Sequence, residues 1–162
     1  MIFAQNISSG VAQYVTLADN IQDGMVICTS QTGSDMCNNG YDSNMMGVVS
    51  LSPAATFGIE VPTVGTYPII SNGKAYILVS GANGVIKPGD FLTSSTTLGT
   101  ATKAIKSGYV VGVALENFDG NTAQQTGKIL ANIAVRPAVL STKASNNLIE
   151  MVRQGFESAF LT

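Results

Sequence analysis

Histidine is missing from this chain altogether. Its absence removes the Ser-His-Asp and Cys-His nucleophilic arrangements and any histidine general base acting near neutral pH. Two cysteines without an imidazole cannot complete a structural zinc site of the usual kind. Charge is scarce as well: Asp, Glu, Lys and Arg make up 11% of the residues, where the surface of a small soluble domain carries about a quarter or more. The eight Lys and Arg are scattered singly, so the clustered positive charge that nucleic-acid binding draws on is lacking. No stretch reaches the roughly 20 consecutive apolar residues that cross a bilayer, and no polybasic anchor is present. Gly81-Ala82-Asn83-Gly84 has none of the lysine and hydroxyl equipment of a phosphate cradle. No catalytic residue, cofactor or metal is expected.

What remains is ample apolar material. Of 162 residues 45% are hydrophobic and the formal net charge is −2, a composition for one domain with a real core. Ser, Thr and Asn take the place of charge, and they suit short β turns. Cys28 and Cys37 bracket the polar run TSQTGSDM. A local disulfide there would fix the connector between two strands and contribute about 2–3 kcal/mol in the chain-entropy model; the alternative is a pair of reduced, partly buried thiols. Met1-Ile2-Phe3-Ala4 fits the remnant of a secretory signal peptide and equally an ordinary N-terminus.

Strand grammar runs through most of the chain. Residues 11–18 alternate imperfectly, and Met25 to Thr29 form a continuous apolar run that suits a strand covered on both sides. Residues 31–44 read as a Gly/Asn/Asp/Ser loop, and 46–51 as a strand that Pro53 ends. A strand over 55–61 and a short edge segment over 67–70 precede Asn72-Gly73, a strong hairpin-turn signal. KAYILVS at 74–80, residues 91–94, 101–105 and 109–116 read as further strands, with a last one over 127–135 ended by Pro137. The spacing predicts a mainly β domain over residues 1–137, compact and barrel- or sandwich-like.

Two segments 65 residues apart obey one rule. Ile21, Gly24, Val26, Ile27 and Gly47-Val48 recur as Ile86, Gly89, Phe91, Leu92 and Gly112-Val113, which defines pseudo-repeat units over about 20–51 and 85–116. Gly24 and Gly89 stand at corners where a left-handed φ would cost a Cβ-bearing residue about 1 kcal/mol or more. Gly47 and Gly112 interrupt good strands, the mark of a bulge or of another backbone lying close.

From Ser145 the period changes. Leu148, Val152, Phe156 and Phe160 fall on one stripe, which predicts an amphipathic helix within the segment 138–162. Asn147 and Glu150 supply a capping pair. No stop signal precedes Thr162, so the expectation is a linker and helix leading towards a membrane anchor beyond it.

Other candidates read more plainly. The hydroxyls of Thr93, Ser94, Ser95, Thr96 and Thr97 have no base beside them in sequence; Lys103 or Lys106 would have to converge on them in space. Asp35, Asp42 and Asn44 share one loop but lack EF-hand spacing and its closing glutamate, so solvated turn residues are expected. Met25, Met36, Met45, Met46 and Met151 are core or interface filler.

The order YILV at 76–79, IKPGD at 86–90, FLTSS at 91–95, Lys103-Ala104 and VGVALE at 111–116 resembles the peptidase G2, or intramolecular-chaperone autocleavage, domain family of bacteriophage tail spikes and bacterial surface proteins. DGMVICTS and MMGVVSLSP look like its first half, and the resemblance spans about residues 20–135. It implies a β-rich module that assembles as a homotrimer on a fibrous protein and in some members cleaves itself. The expected departures from the family are a domain without a preceding fibrous shaft and a helical tail, and no autocleavage residue can be placed. The combined expectation is a non-enzymatic, self-associating structural domain of an exported surface or appendage protein, located at the cell surface or outside the cell. Alternatives are a glycan- or protein-binding surface module and an autocleaving assembly domain of phage origin.

Overall fold

A computed structural model of the chain describes residues 8–58, 63–141 and 153. Ten strands form within them: β1 (Val11–Thr16), β2 (Val26–Ser30), β3 (Gly33–Met36), β4 (Met45–Val49), β5 (Ala55–Phe57), β6 (Thr66–Ser80), β7 (Phe91–Ser94), β8 (Ala101–Lys103), β9 (Gly108–Ala114) and β10 (Thr126–Ala138). They join into one sheet in the order β10-β9-β7-β8-β6-β4-β2-β3, with β1 between β5 and β6. The chain is mainly β, as its turn spacing predicts.

The fifteen-residue β6 organises everything else. Its first half pairs with β1 from Thr16↔Thr66 to Val11↔Asn72, and with β4 at Val48↔Ile70 and Val49↔Ile69. Its second half pairs with β10 from Ala134↔Asn72 to Thr126↔Ser80, and with β8 at Val79↔Ala101. Asn72 faces Val11 and Ala134 at once, so the strand exchanges neighbours there. The pairings of β6 with β10, β10 with β9, β9 with β7, β7 with β8 and β8 with β6 make a closed circuit.

Three expectations are corrected. Asn72-Gly73 is not a hairpin turn but the middle of β6. Gly73 has φ 120°, and a Cβ on it would lie 2.6 Å from the Gly10 Cα; the glycine serves a close backbone approach, which turn chemistry alone does not distinguish. Pro137 does not end its strand, because beyond Ala134 the only neighbour of β10 among the described residues is β9, where Pro137 faces Tyr109. A residue without an amide donor is tolerated where one side of a strand is open. The loop expected over 31–44 contains β3, which folds back on β2 through a two-residue turn.

The repeat-like strand order extends to register. In the first unit β2 lies between β3 and β4; in the second β7 lies between β8 and β9. Val26↔Val48 and Ile27↔Gly47 correspond to Phe91↔Val113 and Leu92↔Gly112 at the common offset. So do the corner hydrogen bonds. The Gly24 amide donates to the Val49 carbonyl (2.8 Å) and the Gly89 amide to the Ala114 carbonyl (2.9 Å). The amides of Val49 and Ala114 return bonds to the carbonyls of Met25 and Asp90, each at 2.9 Å. The third strands leave the common offset: Ile27 faces Met36, whereas Leu92 faces Lys103.

Alternation within the strands divides the core. Val26, Val48 and Ile70 enter the larger cluster with Ile77, Ile86, Leu92, Val111, Ile129 and Ile133. Their sequence neighbours Ile27, Val49 and Ile69 enter a second one with Leu17, flanked by Met25, Met36, Met46 and Tyr67. The first unit is thus covered on both faces, which is why its strands read as uninterrupted apolar runs.

Candidate functional site

Cys28 on β2 and Cys37, just after β3, form the expected disulfide, with 5.0 Å between Cα atoms. Both are buried. Cys37 is further fixed through its backbone: its amide donates to the Val26 carbonyl (2.9 Å), and its carbonyl accepts from Gly99 of the second unit (2.8 Å). The disulfide therefore closes β3 onto β2, within the first unit's hairpin. Beside it lies a polar hollow of about 470 Å³, whose lining includes Thr29, Ser30, Asp35, Asn38, Asp42 and Asn44. Asp35 accepts from the Met36 amide within β3 (2.7 Å) and Asp42 from the Asn44 amide in the loop that follows (2.9 Å), so both carboxylates bond to local backbone. No group of three or more potential metal ligands occurs among the described residues.

Four of the five hydroxyls in the tract 93–97 are bonded into the fold. Thr93 Oγ1 donates to the Tyr109 carbonyl (2.8 Å), Ser94 Oγ accepts from the Asp42 amide (3.0 Å), Ser95 Oγ meets Ser80 Oγ at 3.2 Å, and Thr97 Oγ1 donates to the Ala123 carbonyl (3.4 Å). Lys103 is turned to Asp90 at 3.0 Å and Lys106 stacks over the Tyr41 ring.

Gly24 and Gly89 have φ of 91° and 92°. A Cβ on Gly47 would land on the Ile70 carbonyl, and one on Gly112 on the Asn132 carbonyl. The glycines of β4 and β9 thus let their strands press against β6 and β10. Leu148, Val152, Phe156 and Phe160 lie outside the described residues, and so does Met151.

Two features escape the residue-by-residue reading. Tyr41, at φ 56°, places its phenolic oxygen where it accepts from the amides of Ile105 (2.8 Å) and Lys106 (3.2 Å), so a loop of the first unit clasps one of the second. Its partners are more than 60 residues away in sequence, beyond any local pattern. The second feature is an open edge. Among the described residues β5 pairs only with β1, in parallel, through Val11↔Ala55, Ala12↔Thr56 and Gln13↔Phe57. All three β5 residues are exposed, Phe57 at 68% and the adjacent Val11 at 48%. Between β1, β5 and the Asn72 stretch of β6 runs a groove of about 540 Å³ with no charged lining residue among the described residues. Pro53 and Pro62 flank the segment, and prolines so placed are a readable edge-strand signal. The other single-paired strand, β3, has Asp35 on it.

Compared with known proteins, the sequence matches no family model and no curated protein.

Proposed function

We propose that this protein is a non-enzymatic, self-associating structural domain of an exported surface or appendage protein. The observation that carries the reading is the uncharged open edge of β5 with its exposed Phe57. A strand edge presents unpaired amide and carbonyl groups, and soluble proteins blunt such edges with charge, proline or cover. Here charge is absent from the strand and, among the described residues, from the groove beside it, and the flanking prolines at 53 and 62 stand outside the strand. A second copy of the protein meets this edge without like-charge repulsion, and closed cyclic symmetry is the common outcome for chains that associate with themselves. Export is supported by the buried disulfide, since such bonds persist in oxidising compartments. The closed circuit of strand pairings supports a barrel-like form for the second half. The number of subunits favoured is three, on the family resemblance alone.

The test is the solution mass at micromolar concentration, by sedimentation or native mass spectrometry, for the wild type and for Phe57→Asp. The expected result is an oligomer that the substitution shifts to monomer with the melting temperature of the monomer unit retained. A wild-type protein that remains monomeric would overturn the reading.

The polar hollow beside the disulfide favours a second reading, a surface module that binds a glycan or protein through hydroxyl and amide contacts. A glycan array answered by wild type and silenced by Asn44→Ala would support it over the first.

A further inference from the structure

The sequence contains three Asn-Gly pairs, at 39–40, 72–73 and 83–84, and their surroundings differ in the way that decides their chemistry. In such a pair the glycine nitrogen can attack the carbonyl of the asparagine side group, provided that the backbone is free to bring them together. Asn72-Gly73 is held inside β6, where Asn72 faces Val11 on one side and Ala134 on the other. Asn83-Gly84 is locked differently: the Gly84 amide donates to the Gly81 carbonyl (2.9 Å), and Asn83 Nδ2 donates to the Lys103 carbonyl (2.8 Å). Asn39-Gly40 lies in the exposed connector after the disulfide, outside any strand, and both residues are exposed. The Asn39 side chain reaches only its neighbour Asn38 (2.9 Å), and the Gly40 amide has no hydrogen-bond acceptor among the described residues.

We infer that Asn39-Gly40 is a site of spontaneous covalent modification, the one Asn-Gly pair of the folded domain free to form a succinimide. The Gly40 nitrogen gives up its proton and bonds to Asn39 Cγ. The bond between Asn39 Cγ and Nδ2 breaks, and Nδ2 leaves as ammonia. Water then opens either carbonyl of the ring, leaving Asp or isoaspartate at position 39. No oxidant, reductant or enzyme enters the balance. The product adds one negative charge to a net charge of −2, on the rim of the hollow that already holds Asp35 and Asp42. The isoaspartate form also lengthens the connector by a methylene. The loop sealed at one end by Cys37 thereby gains charge with age while the sheet below it is unchanged.

The experiment is incubation of the folded, oxidised protein at mildly alkaline pH, followed by reduction, proteolysis and mass spectrometry of each Asn-Gly peptide. A sample held in denaturant runs in parallel. In denaturant all three pairs should gain the mass of an amide-to-acid exchange at comparable rates. In the folded protein position 39 should react at least an order of magnitude faster than 72 and 83. Gly40→Ala should slow it by a similar factor without disturbing the fold, because a Cβ there meets only the Ser94 carbonyl at an ordinary 3.6 Å. Reaction at 72 or 83 equal to that at 39, or no reaction at 39 while the denatured protein reacts, overturns the inference.

Discussion

At the scale of single residues, the four paired glycines separate two uses that composition leaves merged. Gly89 has φ 92° with nothing within 4 Å of a virtual Cβ, so its side chain is excluded by conformation alone. Gly112 has no unusual φ, but a Cβ on it would overlap the Asn132 carbonyl of β10. Conformational strain at a left-handed corner costs about 1–2 kcal/mol. A clash with backbone cannot be relieved by a rotamer change and forces two paired strands apart, an overpacking cost of about 1–3 kcal/mol or more. Gly112→Ala is therefore expected to lower unfolding free energy more than Gly89→Ala, and urea denaturation of the two variants against wild type checks the order. Gly47 meets the Ile70 carbonyl as Gly112 meets that of Asn132 and has a φ of 156° besides, so Gly47→Ala should cost at least as much as Gly112→Ala. Equal, small effects at 89 and 112 would mean that β9 has room to move away from β10.

At the scale of elements, the hairpin β2–β3 depends on its disulfide more than its repeat counterpart depends on any one bond. β3 is four residues long and has none of them fully buried; among the described strands it pairs only with β2. In the second unit β8 has the same position but pairs with both β7 and β6, and Ala101 and Thr102 are buried. Packing fixes β8; a covalent bond fixes β3. Replacing both cysteines with serine should reduce stability by about 2–3 kcal/mol on the chain-entropy model. Hydrogen exchange should quicken first at β3 amides, with β8 amides following only the global change. Unchanged β3 protection in that variant would show that strand pairing alone suffices. Sequence and structure agree best where local chemistry decides: the corner at Gly24 and Gly89, the apolar runs 25–29 and 109–114, and the cysteine pair. They part where a distant segment decides. Asn72-Gly73 has every property of a turn until Gly10 and two flanking strands are placed beside it. Pro137 has the properties of a terminator until its open side is known. β3 has almost no apolar content of its own, so only its pairing with β2 makes it a strand. The groove beside Phe57 belongs to the same class, since it is made by residues of β1, β5 and β6 that sequence separates.

At the scale of the molecule, the two repeat units share β6 and are not independent lobes. The larger core cluster holds Val26 and Val48 of the first unit beside Leu92 and Val111 of the second, with Ile70, Ile77 and Val79 of β6 between. The Tyr41 phenol, the Gly99 amide and the Ser94 hydroxyl also bind one unit to the other. Were each unit a stable half, a cavity made in one would leave the other standing. The continuity of the cluster argues for the opposite, because removing buried volume from the first unit withdraws support from side chains of the second. Val48→Ala deletes two methyl groups from a fully buried site and should cost about 1–3 kcal/mol, the range for losing a small branched core residue with partial relaxation. Native-state hydrogen exchange locates that loss. Amides of β9 and β10 should lose protection by the same free energy as amides of β2 and β4, within measurement error, because all open in one cooperative event. Protection lost only in β2 and β4 would mean that the shared strand can hold one unit folded while the other opens. The proposed self-association through β5, which joins the sheet by way of β1 and the first half of β6, would then draw on the stability of the first unit alone.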